Sequence, residues 1–323
     1  MLALGLQGSP RKKGNSDLLL GIFMDALRQQ GVQTQVIDVC RADIQPCKEM
    51  TVCEKKGICP IKDAMSLEIY GMLRKADVVV AASPIFFYNV TAQLKAFIDR
   101  CQTLWARKYM LNLNDPGHRI RRGFMLAMGA TKGKQLFDGL HLTAKYFFDA
   151  LAATYAGSLT YRGVEGRGDI LSHNSVQADV QQAAQKLVGD LAQRPRVIFA
   201  CRENACRSQM AAAFARLYAG ERLDVAAAGS QPADQVNPMM VEVMQEKGID
   251  MGFLTTQSLD QAVEQHPPNH MITMGCGEQC PFVPGVVRQD WELPDPAGQS
   301  IEFMRTVRNQ IEEKVKTFIE SCP

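Results

Sequence analysis

The sequence predicts an α/β protein of two domains, each built on a doubly wound parallel sheet. Three observations carry that expectation. At 323 residues the chain is longer than one hydrophobic core usually organises. Short apolar runs alternate with amphipathic stretches, as strands joined by crossover helices do. The alternation pauses at Gln193-Arg194-Pro195-Arg196, a polar stretch whose proline stops a helix, and a fresh apolar run follows. A boundary there gives domains of residues 1–194 and 195–323.

The elements follow in order. Leu2–Gln7 is a short apolar strand, and Ser16–Gln30 behind it has the apolar spacing of a helix. Thr34–Val39 carries the β-branched residues of a strand. Ala64–Lys75 is expected to be helical, and Asp77–Ala82 supplies the valine-alanine run of a strand covered on both faces. Helix Ala92–Leu104, strand Gly123–Met128, helix Gln135–Leu151, strand Thr154–Tyr161 and helix Val176–Gln193 complete a five-strand pattern. The second domain reads as strand Val197–Ala200, helix Arg207–Ala219, strand Leu223–Ala228, helix Pro238–Lys247, strand His270–Met274 and helix Ile301–Ile319. No internal repeat or low-complexity tract interrupts either half.

An apolar fraction of 46% and a charged fraction of 22% are those of a soluble globular protein. A net charge of +2 gives no field that steers toward nucleic acid or an anionic membrane, so neither partner is expected. The longest apolar run, Val78 to Phe87, is interrupted by Ser83-Pro84 and falls short of the ~20 residues of a spanning helix. Strand-like residues begin at once, with no secretory signal pattern, so a cytoplasmic protein is expected. Ten cysteines in a long intracellular chain then point to redox or metal chemistry rather than a disulfide framework.

Cys201-Arg202-Glu203-Asn204-Ala205-Cys206-Arg207-Ser208 joins an expected strand to an expected helix. A loop so placed turns backbone N–H groups inward and adds the positive end of the helix dipole, which suits a tetrahedral oxyanion. That field favours the thiolate, so Cys201 is the expected nucleophile. Arg207 is spaced to clamp two oxygens with its planar fork, and Ser208 to donate a hydrogen bond to the Cys201 sulfur. An inert thiol beside a surface arginine is the plainer alternative; the C-x5-R-S spacing between strand and helix weighs against it.

This spacing, with Asn204 inside the loop, resembles the low-molecular-weight tyrosine phosphatase fold, and Cys206-Arg207-Ser208-Gln209-Met210-Ala211 resembles its arsenate reductase branch. Trp291-Glu292-Leu293-Pro294-Asp295-Pro296-Ala297-Gly298 resembles the family's Asp-Pro loop. By that resemblance Asp295 is the general acid that protonates the departing oxygen, where otherwise it is an ordinary turn aspartate. A phosphatase needs water to release its product, whereas a reductase needs another thiol. Met274-Gly275-Cys276-Gly277-Glu278-Gln279-Cys280-Pro281 resembles the redox-cysteine segment of the reductases. The resemblance implies that Cys201 attacks arsenate, Cys276 then attacks Cys201, and Cys280 resolves the disulfide. Cys206 is the weaker candidate for the attacking thiol. Half a zinc site is the alternative for Cys276 and Cys280, but no second ligand pair with matching spacing stands out, so no metal ligand is assigned. Release of arsenite by thioredoxin or a small thiol stays open.

In the first domain, Gly8-Ser9-Pro10-Arg11-Lys12-Lys13-Gly14-Asn15-Ser16 precedes a helix and offers hydroxyl, amide and N–H groups that suit a monophosphate. It is not G-x-G-x-x-G, so a dinucleotide fingerprint is absent, and a polar capped turn is the plainer alternative. Ser83-Pro84-Ile85-Phe86-Phe87-Tyr88-Asn89 and Met128-Gly129-Ala130-Thr131 end expected strands, where open α/β sheets bind ligands. With Gln93-Leu94-Lys95-Ala96-Phe97-Ile98-Asp99-Arg100 they resemble the flavodoxin-like family of NADPH-dependent FMN reductases and iron-sulfur flavoproteins, over about residues 1–190. By that resemblance Ser9, Arg11, Asn15 and Ser16 hold the FMN phosphate. Pro84, Ile85, Phe86, Phe87 and Asn89, with Gly129, Ala130 and Thr131, line the isoalloxazine, and NAD(P)H donates electrons. The iron-sulfur members carry C-x2-C-x2-C and a fourth cysteine. Here Cys47, Cys53 and Cys59 keep that layout while Met50 takes the second position. A thioether is a poor ligand for the cluster, so [4Fe–4S] is not expected, and a structural loop or an electron-relaying thiol pair is.

The fusion implies an arsenate reductase whose thiols are recycled by NAD(P)H-reduced FMN. A phosphotyrosine-type phosphatase linked to a flavin redox sensor, and a non-enzymatic oxyanion sensor, are the alternatives. Flavin domains of this family self-associate, so a homo-oligomer is expected.

Overall fold

The computed structural model describes residues 1–265, 267–275 and 285–322. The chain divides into two compact units, Met1–Asn112 with Ile120–Ala192, and Leu113–Arg119 with Gln193–Pro323.

In the first unit, β1 (Leu2–Gln7), β2 (Gln33–Asp38), β3 (Val78–Pro84), β4 (Arg122–Gly129) and β5 (Thr154–Arg162) form a parallel sheet in the order β2-β1-β3-β4-β5. Six of the seven residues of β3 are buried, which is why its sequence runs apolar without alternation. The helices are α1 (Asn15–Gln29), α2 (Val52–Lys56), α3 (Tyr70–Lys75), α4 (Ala92–Arg100), α5 (Gln102–Tyr109), α6 (Asp138–Ala150) and α7 (Val176–Val188). Leu20, Phe23 and Leu27 of α1 and Val180 and Leu187 of α7 pack on Val78, Val80 and Phe124. The rings of Phe23 and Phe124 stack at 5.0 Å. The strand order reverses between β1 and β3, and because the strands are parallel the loops after β1, β3 and β4 leave the sheet at one edge.

In the second unit, β6 (Arg196–Cys201), β7 (Asp224–Gly229), β8 (His270–Thr273) and β9 (Val287–Asp290) form a parallel sheet in the order β7-β6-β8-β9. Val197, Phe199 and Cys201 enter one core, with α8 (Arg207–Ala219), α9 (Pro238–Gln245) and α11 (Ile301–Ser321). Ile198 and Ala200 enter the other, with Leu259 and Ala262 of α10 (Leu259–Gln265). This is the two-residue period of a strand covered on both faces. The reversal of order here falls between β6 and β8, at the end of the strand that finishes on Cys201.

Several expected bounds shift. The helix expected over Ala92–Leu104 is two helices, because the chain turns at Cys101, whose N–H bonds back to Ile98 three residues earlier. The expected Ala64–Lys75 helix opens as a π-helical turn, Met65–Ile69, before α3. The helix expected to reach Gln193 ends at Val188. Strand β9 and helix α10 were not anticipated. β9 reads Val-Arg-Gln-Asp and is exposed at every position, so no apolar alternation marks it. Among the described residues no helix is long and apolar enough to cross a membrane.

Candidate functional site

Cys201 closes β6 and is 3% exposed. The loop beyond it is fastened by its carbonyls. Amides of Ser230, Gln231, Ala233 and Asn237 donate to the carbonyls of Cys201, Arg202, Glu203 and Ala205 at 2.8–3.2 Å. The amides of residues 203–208 meet no acceptor among the described residues, and α8 begins without a side-chain cap. Carbonyls fastened and amides unspent make the loop a cradle for an anion. Gly229, at the end of β7, permits this packing: a Cβ there would lie 2.7 Å from the Arg202 carbonyl oxygen and the Asn204 nitrogen.

Asn204 is the centre of the loop. It is fully buried with φ +52°, a left-handed conformation that asparagine tolerates better than most residues. Its Nδ2 donates to Ser208 Oγ at 2.9 Å, and its Oδ1 accepts the Gln257 amide at 2.9 Å and Gln209 Nε2 at 3.2 Å. Ser208 Oγ lies 3.1 Å from Cys201 Sγ. With a lone pair occupied by Asn204, the hydroxyl proton is left for the sulfur. Gln257 and Gly229 went unmarked in the sequence, since neither sits in a spacing that points to the loop.

The Arg207 side chain is largely buried, donates to the Leu293 carbonyl at 3.3 Å, and sits 3.4 Å from Asp295 Oδ1. Gly275, at φ +72°, approaches the guanidinium so closely that a Cβ would stand 2.9 Å from Nη1. Trp291 anchors the Asp295 segment, buried with its ring 5.8 Å from that of Phe199. Cys201, Asn204, Arg207, Ser208 and Asp295 are thus brought to one place. Cys206 is turned away: its Sγ lies 3.3 Å from Met304 Sδ, and burial above all, then the neighbouring Cys201, pushes its thiol up to about 12. It packs, which disfavours its weaker candidacy as the attacking thiol. Cys276 and Cys280 lie outside the described residues.

In the first unit, the amides of Asn15, Ser16 and Asp17 in the first turn of α1 meet no acceptor among the described residues, and that helix has no side-chain cap. Ser9 is buried in the preceding loop, where its hydroxyl accepts the Arg11 amide at 3.3 Å. These groups fit a phosphate monoester. Two expected roles change. The Asn15 side chain is committed to the chain itself, donating to the Gly166 carbonyl at 2.8 Å and accepting the amides of Gly168 at 2.9 Å and Ile170 at 3.3 Å. The Ser16 hydroxyl faces Met128 Sδ at 3.0 Å. Both residues offer a phosphate their backbone N–H instead. Arg167, which no motif marked, braces the same loop through the carbonyls of Lys12 and Lys13.

Phe86 and Asn89 pair in a tight turn whose central residues, Phe87 and Tyr88, are both left-handed at φ +48° and +63°. Phe86 and Phe87 are exposed there, beside Pro84 and Ile85. The Ile85 amide donates to the Met128 carbonyl at 2.9 Å, tying this turn to the end of β4, where Gly129 is buried and Ala130 and Thr131 are exposed. Thr91, missed by the sequence reading, caps α4 and donates to the Gly8 carbonyl at 2.6 Å. The loops after β1, β3 and β4 therefore form one surface at the sheet edge, apolar and aromatic in part, as a flat ring with a phosphate tail requires.

Cys47, Cys53 and Cys59 line a cavity of about 390 Å³ with Met50, Thr103 and Arg100. Burial first, then the charges of Cys59 and Cys47, raises the Cys53 thiol. Arg100 is buried and bonded through both terminal nitrogens to Asp63, and through Nη1 to the Gln45 carbonyl, while its Nε–H has no partner. Thiols and an orphaned buried donor on one cavity fit a thiolate-bound anionic group.

Residues 1–157 match the NADPH-dependent FMN reductase family and residues 196–322 the low molecular weight phosphotyrosine protein phosphatase family. A glutaredoxin arsenate reductase of Synechocystis is 35% identical over 126 residues, covering 38% of this chain and 95% of that protein. An iron-sulfur flavoprotein of Methanocaldococcus jannaschii is 36% identical over 104 residues, covering 32% of this chain and 53% of that protein. One of Methanosarcina thermophila is 32% identical over 143 residues, covering 44% of this chain and 74% of that protein.

Proposed function

From a chain that belongs to the iron-sulfur flavoproteins in its first part and to the arsenate reductases of the low molecular weight phosphatase family in its second, we propose an NAD(P)H-dependent arsenate reductase. The observation that carries this reading is the loop after β6, whose amides are unspent around Cys201 while Ser208 and Arg207 face the same place. We take the working domains as residues 1–194 and 195–323. The amides of 203–208 and the Arg207 fork hold three oxygens of arsenate. Cys201 attacks arsenic, and Asp295 hands a proton to the oxygen that leaves as water. A second thiol, assigned to Cys276, then attacks the Cys201 sulfur, and the arsenic–sulfur electron pair departs with arsenite. Cys280 takes over the disulfide. In sum arsenate and two thiols give arsenite, one disulfide and water, the two electrons coming from the thiols.

FMN, when bound, supplies two-electron exchange with NAD(P)H and so a means of restoring those thiols. The chain holds its phosphate with Ser9, Arg11 and the amides of Asn15 and Ser16, and its ring with Pro84–Asn89 and Gly129–Thr131. The proposed enzyme is cytoplasmic and self-associating.

The test is anaerobic and uses the full chain. NADPH bleaches the bound flavin, and arsenate then restores its colour in the wild type but not in Cys201→Ser. A chain that binds no flavin, or that needs added thioredoxin or small thiol for turnover, refutes the self-contained circuit. The same cradle suits a phosphate ester, so efficient turnover of a chromogenic ester without arsenate reduction assigns the site to a phosphatase.

A further inference from the structure

We propose that Cys47, Cys53 and Cys59 hold a [3Fe–4S] cluster, with Met50 standing where a further thiolate would capture a further iron. This does not rest on the arsenate reading. The three thiols border one cavity of about 390 Å³. A single ion does not account for it. Among the described residues no three histidine, cysteine or acidic side chains are gathered closely enough to hold one metal ion, and the space is many times the roughly 30 Å³ share of a water. Sulfurs spread around a cavity suit a polynuclear group, whose ligands sit on different irons.

The second observation is Arg100. Its guanidinium is 1% exposed and fixed by Asp63 and the Gln45 carbonyl, and its Nε–H, on a residue that lines the cavity, has no acceptor. A buried donor left so costs about 1–3 kcal/mol. Inorganic sulfide accepts such a bond, and hydrogen bonds to cluster sulfurs are a means by which proteins set cluster properties. The number of irons follows from the ligands. Three thiolates fix three irons, whereas the neutral thioether of Met50 binds a thiolate-preferring iron weakly, and the residue is 44% exposed. Three ferric ions and four sulfides assemble without any redox step, each thiol releasing a proton.

The experiment incubates the full chain anaerobically with ferric ion and sulfide, desalts it, and measures iron, acid-labile sulfide, flavin and the electron paramagnetic resonance spectrum. The expected wild type carries about three irons and four sulfides per chain and shows the half-integer signal of an oxidised three-iron cluster. Cys47→Ser, Cys53→Ser and Cys59→Ser each abolish that signal with flavin content unchanged, and Cys40→Ser leaves it intact. Met50→Cys raises iron to about four per chain and silences the oxidised signal. Wild-type iron no greater than in the triple serine variant overturns the proposal. So does a signal-silent wild type with four irons, or a Met50→Cys chain with the wild type's iron content. Flavin binding and circular dichroism of each variant separate loss of the cluster from loss of the fold.

Discussion

Replacing Asn204 by alanine removes a side chain that makes three hydrogen bonds in a fully buried site. The Gln257 amide loses its acceptor, Ser208 loses the donor that orients it, and Gln209 keeps only the Thr255 carbonyl at 3.2 Å. An unsatisfied buried group costs about 1–3 kcal/mol. Alanine at φ +52° adds roughly 1–2 kcal/mol, since its Cβ crowds the carbonyl in the left-handed region. The expected loss is about 3–5 kcal/mol in the second unit, and Asn204→Gly, which loses the same bonds but not the backbone fit, recovers about 1 kcal/mol of it. The chain has two tryptophans, Trp105 in the first unit and the buried Trp291 in the second. A Trp105→Phe background therefore makes urea unfolding, followed by fluorescence, report the second unit alone. With a slope of about 2 kcal/mol/M the midpoint falls by roughly 2 M. An Asn204→Ala midpoint matching the wild type refutes the buried network. Equal midpoints for alanine and glycine refute the backbone argument.

Asp295→Asn is expected to lower arsenate turnover about 10²–10⁴-fold while leaving oxyanion binding by isothermal calorimetry near the wild type; a pure binding defect contradicts its role as proton donor. Asn15→Ala frees the segment from Gly166 to Ile170, and fluorescence titration should show FMN affinity falling about tenfold, which is about 1.4 kcal/mol. Unchanged affinity returns Asn15 to a plain surface tether. Burial pushes the Asp63 carboxyl up, but the Arg100 guanidinium and the amides of Gln45 and Ser66 outweigh it and hold it below the usual carboxylate range. Its folded value being depressed, its stabilisation is whole at neutral pH and is lost as pH falls through that depressed value. Asp63→Asn leaves Arg100 buried and unpaired, should cost about 3–5 kcal/mol at pH 7, and should flatten this acid limb in pH-dependent thermal melts.

Much of the molecule was legible because its chemistry is local in the chain. Cys201, Arg207 and Ser208 stand at fixed spacing between a strand and a helix, so one short segment carries nucleophile, clamp and donor together. The loops after β1, β3 and β4 were legible for a related reason, since parallel strands of apolar sequence place their following loops at one edge. What escaped depends on distant partners. Gln257 acts on Asn204 from 53 residues away, and Arg167 and Gly166 brace a loop more than 150 residues earlier, with no spacing to betray either. Asn15 looked like a phosphate ligand because its type and place allowed both roles, and the segment that claims its side chain is invisible locally. Strand β9 escaped because an edge strand exposed along its length lacks the alternation that marks a half-buried one.

The carbonyls of Cys201, Arg202, Glu203 and Ala205 are tied down by the segment from Ser230 to Asn237. The receptacle is therefore finished before any guest arrives, and it recognises a shape and a charge rather than an element. Phosphate and arsenate, near twins in both, must compete for it on almost equal terms. Discrimination then passes from admission to consequence: both are admitted, and only the guest whose central atom accepts electrons from sulfur leaves changed. A phosphate-rich cytosol would act as a standing inhibitor of such an enzyme, and its working rate would follow the ratio of the two anions rather than the amount of arsenate alone.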